Sequence, residues 1–527
     1  MLLRASNTLV MGVDVGTSGL KVMICDVEGQ IVGSHSTNYE AEHPMPGWAE
    51  QNPLIWEDAF LKSTSSLISN LGESIAKNIE GICISSQIDG LIPIDKEGRP
   101  LHKALIWIDR RAVKQVEEIK SLIDAQDFYS ITGLVIDPSH PAAKILWLRD
   151  NRKEIYDNTW KFLSPNDYIL YFLTGNVVTD YTNASTTMLF NIRKRKWAEE
   201  ICELFGVDIS RLPEIKSSID IVGDLRREVA VKAGLKPRIP VIAGGGDEEV
   251  GAIGAGVLEE GSVLDIIGTA EPIVSPVDRP IFDPSMTLEL HAHAHPDKWL
   301  LENTGILSGG IYSHFLKNFG QDLRSESNRI GINPYELMNR EAELVEPGCG
   351  GLSFLPFYSG SITPEWNPDA RGTFLGITPY HVRGHFIRAI IEGTAFVVRD
   401  VIEKINELGL KTKYLVVAGG GSRGKIWLET RANVTGITVK SPSIEDVTPY
   451  GACLLAIVGV GLEKNLDKLV FDIVRYREVI SPEEDLYNLY SKIYKIYLDS
   501  YYSLKNIFSR LKTNTNLLKE DASNGKP

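Results

Sequence analysis

Asp247 is the residue of this 527-residue chain best placed for chemistry, because an apolar stretch and three glycines lead directly to it. The stretch 239–243 predicts a strand buried on both faces, and the glycines at 244–246 predict a sharp turn where backbone can approach a ligand. The carboxyl end of a central strand is where α/β proteins usually keep their sites. The alternative is that Asp247 only caps a helix that begins near Glu248, since aspartate is a favoured cap.

A second acid, Asp14, lies in an otherwise apolar strand predicted over residues 10–15. A carboxylate there is costly to bury unless it is paired or close to a metal ion; backbone donors that satisfy it are the structural alternative. The turn that follows, Gly16, Thr17, Ser18 and Gly19, is rich in glycine and hydroxyl. Turns of this kind present N–H groups and a hydroxyl to an anion.

Two further predicted strands end in polar residues. The strand 79–85 is followed by Gln87 and Asp89, and the strand 104–108 by Asp109 and Arg110. A strand end that is merely solvated would look the same, so these clusters alone do not define a site.

The opening pattern of strand, Gly-Thr turn and strand returns at Gly268 and Thr269, 252 residues after Gly16 and Thr17. Ile266 stands where the first copy has Asp14. The repeat predicts two related α/β halves with a cleft between them.

A glycine loop at residues 419–421 follows an apolar strand and precedes a helix. It fits a dinucleotide-binding pattern without the acid that binds ribose, and a P-loop pattern in which Ile426 replaces the required Ser or Thr. What remains is a general place for a phosphate or nucleotide.

Composition limits the function further. Fifty-five basic and 69 acidic residues give a net charge of −14, which argues against nucleic acid or an anionic membrane as the main partner. Five scattered cysteines in no C-x-x-C pair, and no apolar run of membrane-spanning length, predict a cytoplasmic protein. The oligomeric state is left open, with a homodimer as one option.

These features together resemble the FGGY family of carbohydrate kinases, from about residue 10 to residue 502. Residues 139–151 (SHPAAKILWLRDN) fit the family's N-terminal signature, and 372–377 (GTFLGI) through 385–392 (HFIRAIIE) fit the C-terminal one. Residues 46–51 (PGWAEQ) are similar to the opening region of the xylulose-kinase branch.

The resemblance implies an α/β fold of two ribonuclease-H-like domains of the actin-type ATPase kind, with sugar and ATP meeting in an interdomain cleft. We expect domains over 8–254, which would bind sugar and supply the base, and 255–508, which would bind nucleotide. A polar, disordered tail is expected over 509–527. Asp247 is implied as general base and Asp14 as the residue that holds Mg²⁺, directly or through water.

The resemblance also implies two sets of contacts. The residues expected at the sugar are Gln87, Ile88, Asp89, Asp109, Arg110, Asp247 and Glu248. The residues expected at the nucleotide are Gly16, Thr17, Ser18, Gly268, Thr269, Gly309, Gly310, Gly419, Gly420, Gly421 and Ser422.

The substrate is predicted from Ile88 and Asp89, which stand where xylulose kinases carry Met-His and glycerol kinases Arg-Glu. Extra carboxylates disfavour an acidic substrate such as gluconate. We expect a neutral polyol or ketose, first a pentulose such as D-xylulose, with D-ribulose, erythritol or glycerol as alternatives. A sugar-binding regulator and an actin-like ATPase are the competing interpretations, and the missing ribose acid argues against a dehydrogenase.

Overall fold

The structure is a computed structural model that describes residues 8–524, and the side chains up to residue 511. The strands are β1 (Leu9–Val15), β2 (Gly19–Asp26), β3 (Ile31–Asn38), β4 (Glu50–Gln51), β5 (Ile79–Ser86), β6 (Ile92–Ile94), β7 (Ala104–Leu105), β8 (Lys161–Leu163), β9 (Val178–Asp180), β10 (Phe190–Asn191), β11 (Lys196–Trp197), β12 (Glu214–Lys216), β13 (Ile221–Asp224), β14 (Pro240–Gly246), β15 (Ser262–Ile266), β16 (Glu271–Val277), β17 (Glu289–Ala292), β18 (Trp299–Ile306), β19 (Ser353–Leu355), β20 (Thr373–Leu375), β21 (Tyr414–Ala418), β22 (Thr438–Pro442) and β23 (Tyr476–Ile480).

The helices are α1 (Pro53–Leu71), α2 (Val113–Leu122), α3 (Ala125–Thr132), α4 (Pro141–Asn151), α5 (Lys153–Asn158), α6 (Pro165–Thr174), α7 (Tyr181–Ser185), α8 (Glu199–Phe205), α9 (Arg227–Ala233), α10 (Asp247–Ala255), α11 (Ser308–Phe319), α12 (Gln321–Ile330), α13 (Pro334–Glu343), α14 (Arg383–Glu407), α15 (Lys425–Thr435), α16 (Val447–Gly459), α17 (Leu466–Ile473) and α18 (Glu484–Asn524).

The chain divides into two compact units, each with its own sheet. The first unit comprises residues 1–259, 276–301 and 446–475, and the second comprises 260–275, 302–445 and 476–527. The first unit therefore includes two segments, 276–301 and 446–475, that fall within the range expected for the C-terminal domain.

Close helix packing explains why the segment 446–475 belongs to the first unit. Glycines on α10 and α16 let the two helices touch: a Cβ on Gly254 would lie 1.9 Å from the carbonyl oxygen of Val447, and one on Gly451 would lie 2.0 Å from that of Val250. On the other side, α16 lies against β1 at Gly12. The segment 276–301 joins through Leu290, whose N–H donates to the carbonyl of Gly133.

The sheet of the first unit has the order β13-β14-β5-β1-β2-β3. β1 pairs with β2 antiparallel and with β5 parallel, and β14 is parallel to β5 on its other side. β1 and β5 are buried along nearly their whole length because both faces of the sheet are covered there, as is usual for central parallel strands. The carboxyl ends of β1, β5 and β14 therefore lie side by side at one edge.

The second unit repeats this arrangement. β15 pairs with β16 antiparallel and with β21 parallel, and β22 and β23 extend the sheet. The hairpin-plus-parallel-strand pattern matches β1, β2 and β5, so the internal repeat predicted from the two Gly-Thr turns is confirmed by the topology.

The C-terminal end differs from the expectation. Helix α18 continues to Asn524, so residues 509–524 are helical rather than a disordered tail, and 525–527 lie outside the described residues. The sequence showed only polar composition there, while buried tyrosines upstream (Tyr490, Tyr494, Tyr497 and Tyr501) anchor the helix to the second unit's core. Among the described residues, every helix is too short or too polar to cross a membrane.

Candidate active site

β14 delivers Asp247 to the edge of the first unit's sheet. The three glycines belong to the strand itself, which continues to Gly246, so the predicted turn is instead a register shift within β14. Gly244 has φ of +65°, and a Cβ there would lie 1.6 Å from the carbonyl oxygen of Ile84. Only glycine fits this position, because both the backbone conformation and the neighbouring strand exclude a side chain. The N–H of Gly246 donates to Thr182 Oγ1 at 2.7 Å.

Asp247 is the first residue of α10, and Gly246 occupies the cap position without a side-chain bond. Asp247 thus lies one position inside the helix rather than at its cap, and its carboxylate accepts from the N–H groups at the helix start. Burial raises the pKa of Asp247 to about 7, the N–H groups of Asp247 and Glu248 oppose this, and the charge of Asp89 adds to it. A carboxylate with a pKa near neutrality is suited to accept a proton. Glu248, the next residue, is half-buried.

Asp14 lies next to the end of β1, opposite Lys21 on β2 and Ser85 on β5. Burial raises its pKa to about 8, with the charge of Asp247 as the next cause. Its Oδ1 is buried and has no hydrogen-bond partner among the described residues. Lys21 pairs with Asp446. The alternative that backbone donors satisfy Asp14 does not hold for Oδ1, which matches the chemistry of a cation ligand.

The turn after β1 is held by a polar network around Thr17. Its Oγ1 accepts from Trp107 Nε1 at 2.8 Å and donates to Gln87 Oε1 at 3.3 Å, and its carbonyl accepts from Gln51 Nε2 at 2.6 Å. Gln87 in turn donates to Gln51 Oε1 at 2.9 Å. Gln87 thus connects the end of β5 to the first turn.

Gly16 and Ser18 are fixed by backbone and ring contacts. The N–H of Gly16 donates to the carbonyl of Gly19 at 3.0 Å, and Tyr39 OH donates to the carbonyl of Gly16 at 2.8 Å. The N–H of Tyr39 bonds the carbonyl of Ser18. These bonds tie the turn to β2 and to the residue that follows β3.

Asp89, beyond the end of β5, is held by two residues of the N-terminal signature. Lys144 Nζ donates to its carbonyl at 2.6 Å, and His140 Nδ1 lies 3.1 Å from its Oδ1. The backbone of Asp89 has φ of +59°, which few residues other than glycine adopt. Its neighbour Ile88 is half-buried and lies close to Gly246.

The contacts of His140 continue inward to Glu289 and His291 on β17. His140 Nε2 lies 3.6 Å from Glu289 Oε1, and His291 Nε2 lies 3.4 Å from Glu289 Oε2. Burial tends to raise the pKa of Glu289, but the bonds from His140 and His291 outweigh it and hold that pKa well below its usual range. The N–H of Val135 also donates to Glu289 at 3.0 Å.

Asp109 and Arg110, two of the predicted sugar contacts, each pair with another side chain of the first unit. Asp109 is fully buried, and its oxygens accept from Arg111 and from the N–H of Ala49 at 2.6 Å. Arg110 binds Asp137 at 2.7 Å. The arrangement does not support a sugar contact by Asp109, because an ion pair stacked on tryptophan Trp48 occupies it.

In the second unit the Gly-Thr turn lies against the start of α11. A Cβ on Gly309 would lie 2.1 Å from the carbonyl oxygen of Gly268, and the N–H of Gly310 donates to the carbonyl of Thr269 at 3.0 Å. Gly268 and Thr269 thus contact Gly309 and Gly310, as expected for residues that share a nucleotide site. Glycine at 309 is required by this approach.

The second glycine loop lies beside the same turn. The N–H of Gly421 donates to the carbonyl of Ile267 at 3.3 Å, and a Cβ on Gly419, whose φ is +79°, would lie 2.7 Å from that oxygen. A Cβ on Gly420 would meet nothing within 4 Å. Ser422 Oγ donates to the carbonyl of Gly419 at 2.8 Å, and Arg477 binds Ser422. The open space at Gly420, beside two glycine turns, leaves room for a ligand to approach the backbone.

The chain matches both domains of one known protein family. Residues 9–254 match the FGGY family of carbohydrate kinases, N-terminal domain, and 266–460 match the C-terminal domain. The xylulose kinase of Lactococcus lactis is 31% identical over 93% of this chain and 97% of its own. The chain belongs to the FGGY family of carbohydrate kinases.

This carbohydrate kinase is also similar to a second curated relative and to a solved structure. The gluconokinase of Bacillus subtilis is 28% identical over 96% of this chain and 98% of its own. The crystal structure of ligand-bound xylulose kinase from Lactobacillus acidophilus superposes with a TM-score of 0.87 at 25% identity, covering 96% of this chain and 100% of that one. The mixed α/β fold of two units expected from the sequence is therefore confirmed.

Within the kinase's first unit the structure gathers Asp14, Thr17, Gln87, Asp89 and Asp247 around the ends of β1, β5 and β14. The sequence did not predict the contacts that link Asp89 to four buried residues: His140, Lys144, Glu289 and His291. His140 and Lys144 stood within the quoted signature. The alternation of an acid and a histidine at 289 and 291 in an apolar strand was the signal for the other two.

Proposed function

We propose that this carbohydrate kinase transfers the γ-phosphoryl group of ATP to a hydroxyl of a neutral sugar or polyol, with a pentulose such as D-xylulose as the first candidate. The observation that carries the proposal is the pair of half-buried acids Asp14 and Asp247, both with a raised pKa, at the ends of strands β1 and β14. Phosphoryl transfer requires positioning, charge neutralisation and one group that takes the hydroxyl proton.

Asp247 is the proposed general base. Its carboxylate accepts the proton of the attacking hydroxyl as the oxygen bonds to the γ-phosphorus, and the bond from that phosphorus to the β-phosphate oxygen breaks. Burial and Asp89 raise the pKa of Asp247 to about 7, so the carboxylate is basic enough to take the proton near neutral pH. Such a base typically contributes ~10²–10⁴-fold.

Asp14 is the proposed residue for Mg²⁺. The unpartnered Oδ1 and the raised pKa mean that Lys21 compensates the ionised carboxylate only in part, and a divalent cation would supply the rest. Bound there, the cation would neutralise charge on the phosphates. The first-unit turn Gly16, Thr17 and Ser18 is the proposed phosphate neighbour.

The nucleotide itself is assigned to the second unit. The proposed contacts are Gly268, Thr269, Gly309, Gly310, Gly419, Gly420, Gly421 and Ser422. The contacts among them bring the Gly-Thr turn, the start of α11 and the open position at Gly420 close together, which supports this assignment.

The substrate assignment rests on the charge around Asp89. Asp89 and Asp247 interact electrostatically, and Glu248 follows Asp247. A carboxylate on the substrate would be repelled by these protein carboxylates, so a neutral polyol is favoured. The name of the Lactococcus lactis relative supports D-xylulose, while that of the Bacillus subtilis relative makes gluconate the comparison that any assay must include.

ADP release with Mg·ATP tests the proposal against D-xylulose, D-ribulose, L-xylulose, L-ribulose, erythritol, glycerol and gluconate. We expect one neutral compound to exceed the others by at least ~10-fold in kcat/KM. Gluconate above every neutral compound would overturn the substrate assignment, and release that does not depend on any sugar would overturn the kinase assignment. We further propose a cytoplasmic location, supported by five buried free thiols; a homodimer stays a prediction.

A further inference from the structure

A row of buried ionisable groups lies behind Asp89, within the first unit, and the proposed mechanism gives it no role. It runs from Asp89 to His140, from His140 to Glu289 and from Glu289 to His291. The side chains of His140, Glu289 and His291 are 4%, 7% and 1% exposed. Charged groups buried this deeply are costly unless each compensates another, so the row is an organised feature.

Asp89 is more exposed to solvent than His140, so Asp89 is the better placed of the two to contact a substrate. The side chain of Asp89 is 12% exposed, whereas that of His140 is 4% exposed. The imidazole occupies the space directly behind the carboxylate and takes one of its oxygens at 3.1 Å. Asp89 is thus the contact residue, and His140 acts through it.

The ionisable groups that face His140 favour its charged form. Burial alone would lower the pKa of His140, but Asp89 and Glu289 outweigh it, so the pKa lies well above its usual value. Lys144 donates to the backbone of Asp89, and Asp137 lies near enough to interact with His140. A charged imidazole bonds a carboxylate more strongly than a neutral donor would.

We propose that His140 is a positioning residue for substrate recognition: clamped by Glu289, it fixes the Asp89 carboxylate in the orientation that binds two adjacent hydroxyls of a neutral polyol. The inference rests on the proposed function and deepens it. A fixed carboxylate binds a diol with less loss of side-chain freedom than a mobile one, and the imidazole offsets its charge next to Asp247. His140 therefore controls the KM for the polyol more than the chemical step.

The test compares His140→Leu with His140→Asn in the full chain, using the best neutral substrate of the panel. His140→Leu should raise the KM for that substrate about 10-fold or more, the factor expected when a bond to a charged group is lost. The kcat and the KM for ATP should stay within about twofold. His140→Asn keeps an N–H donor toward Asp89 and should recover part of the loss.

Two further variants make the test specific. Glu289→Gln removes the negative charge that pairs with His140 and should raise the same KM, by a smaller factor. His385→Asn alters a buried histidine of the second unit whose Nδ1 accepts from the N–H of Val382 at 3.2 Å, and it should leave the substrate's KM unchanged.

An unchanged KM in His140→Leu, or a fall in kcat with an unchanged KM, would overturn the proposal. Should His140→Leu fail to fold, His140→Asn and Glu289→Gln with wild-type KM values would overturn it equally. Calorimetric measurement of polyol binding distinguishes failure of the proposed kinase function from failure of the proposed role of His140. A wild-type protein that binds the polyol without phosphorylating it contradicts the proposed function, while its affinity in the His140 variants still tests this proposal.

Discussion

Lys144 Nζ donates to the backbone carbonyl of Asp89 at 2.6 Å and to that of Ile106 at 2.9 Å. One buried ammonium thereby holds the loop after β5 to the residue that follows β7. Asp89 has a left-handed backbone, which costs on the order of 1 kcal/mol for a residue other than glycine and persists only when its surroundings enforce it. Lys144 supplies that enforcement.

Lys144→Met should therefore both destabilise the first unit and weaken substrate binding. Two buried carbonyls lose their donor, which costs about 1–3 kcal/mol in unfolding free energy, and Asp89 relaxes, so that the KM for the polyol rises several-fold. Denaturant unfolding and steady-state kinetics measure the two effects. Lys161→Met is the matched control, because Lys161 also donates to two carbonyls, of Ser210 and Leu212, far along the chain from Asp89. A KM that rises equally in both variants would contradict the local role of Lys144.

The positions of Asp14, Asp89 and Asp247 were predictable because acids at strand ends follow from local pattern alone. Apolar runs define β1, β5 and β14, and the residue after each run must come to the same edge if the strands are parallel. The internal repeat was predictable for the same reason, since each Gly-Thr turn closes a hairpin.

The rest depended on contacts that a local pattern cannot encode. Asp109 resembled a site residue until its partner Arg111 was placed between Trp48 and Trp147. Glu289 lies 149 residues after His140 in sequence, and only the return of segment 276–301 to the first unit brings them together.

Asp247→Asn should abolish most activity while leaving the fold intact. The amide cannot accept the hydroxyl proton, so kcat should fall by ~10²–10⁴-fold, with the KM for ATP little changed. Near-normal turnover would remove Asp247 from the role of base. Glu248→Gln serves as the comparison at the next position, and its kcat should fall far less.

The same variant should be more stable than the wild type at pH 8. In the folded protein the pKa of Asp247 is about 7, above the value near 4 of an unfolded chain, so the folded state binds the proton more tightly. Stability from this group is complete at low pH and declines as pH rises from about 4 to about 7. Asp247→Asn avoids that decline, so its gain in unfolding free energy should be roughly 1–2 kcal/mol at pH 8 and near zero at pH 4. Thermal unfolding at the two pH values decides it.

Activity should rise with pH in the range where Asp247 loses its proton. For the free enzyme, kcat/KM should increase with an apparent pKa near 7, which belongs jointly to Asp247 and the acids around it. The profile is measured with the preferred polyol at saturating Mg·ATP. A kcat/KM that is flat from pH 5.5 to 8 would show that no group of this kind controls the reaction.

Gly309→Ala should weaken nucleotide binding selectively. Its Cβ would lie 2.1 Å from the carbonyl oxygen of Gly268, which forces the Gly-Thr turn and α11 apart. The KM for ATP should rise about 10-fold or more, while calorimetric affinity for the polyol stays unchanged. Gly384→Ala is the control, because its Cβ would lie 2.5 Å from the carbonyl oxygen of Glu341 in the same unit, and its nearest neighbours are Glu341 and Val345 rather than predicted nucleotide residues. It should lower stability without changing the KM for ATP.

Asp14→Asn should uncouple the protein from Mg²⁺. In the wild type the buried carboxylate has a pKa of about 8 and an unpartnered Oδ1, so a cation that binds there stabilises the folded state. Mg²⁺ at tenfold above its Kd should add about 1.4 kcal/mol to the unfolding free energy of the wild type at pH 8, and much less to Asp14→Asn. Asp167→Asn is the control, since burial also raises the pKa of Asp167, to about 7, yet it bonds the N–H of Ser164 as a helix cap. Because the readout is stability, the result is independent of turnover: equal stabilisation of wild type and Asp14→Asn would place the metal on other residues.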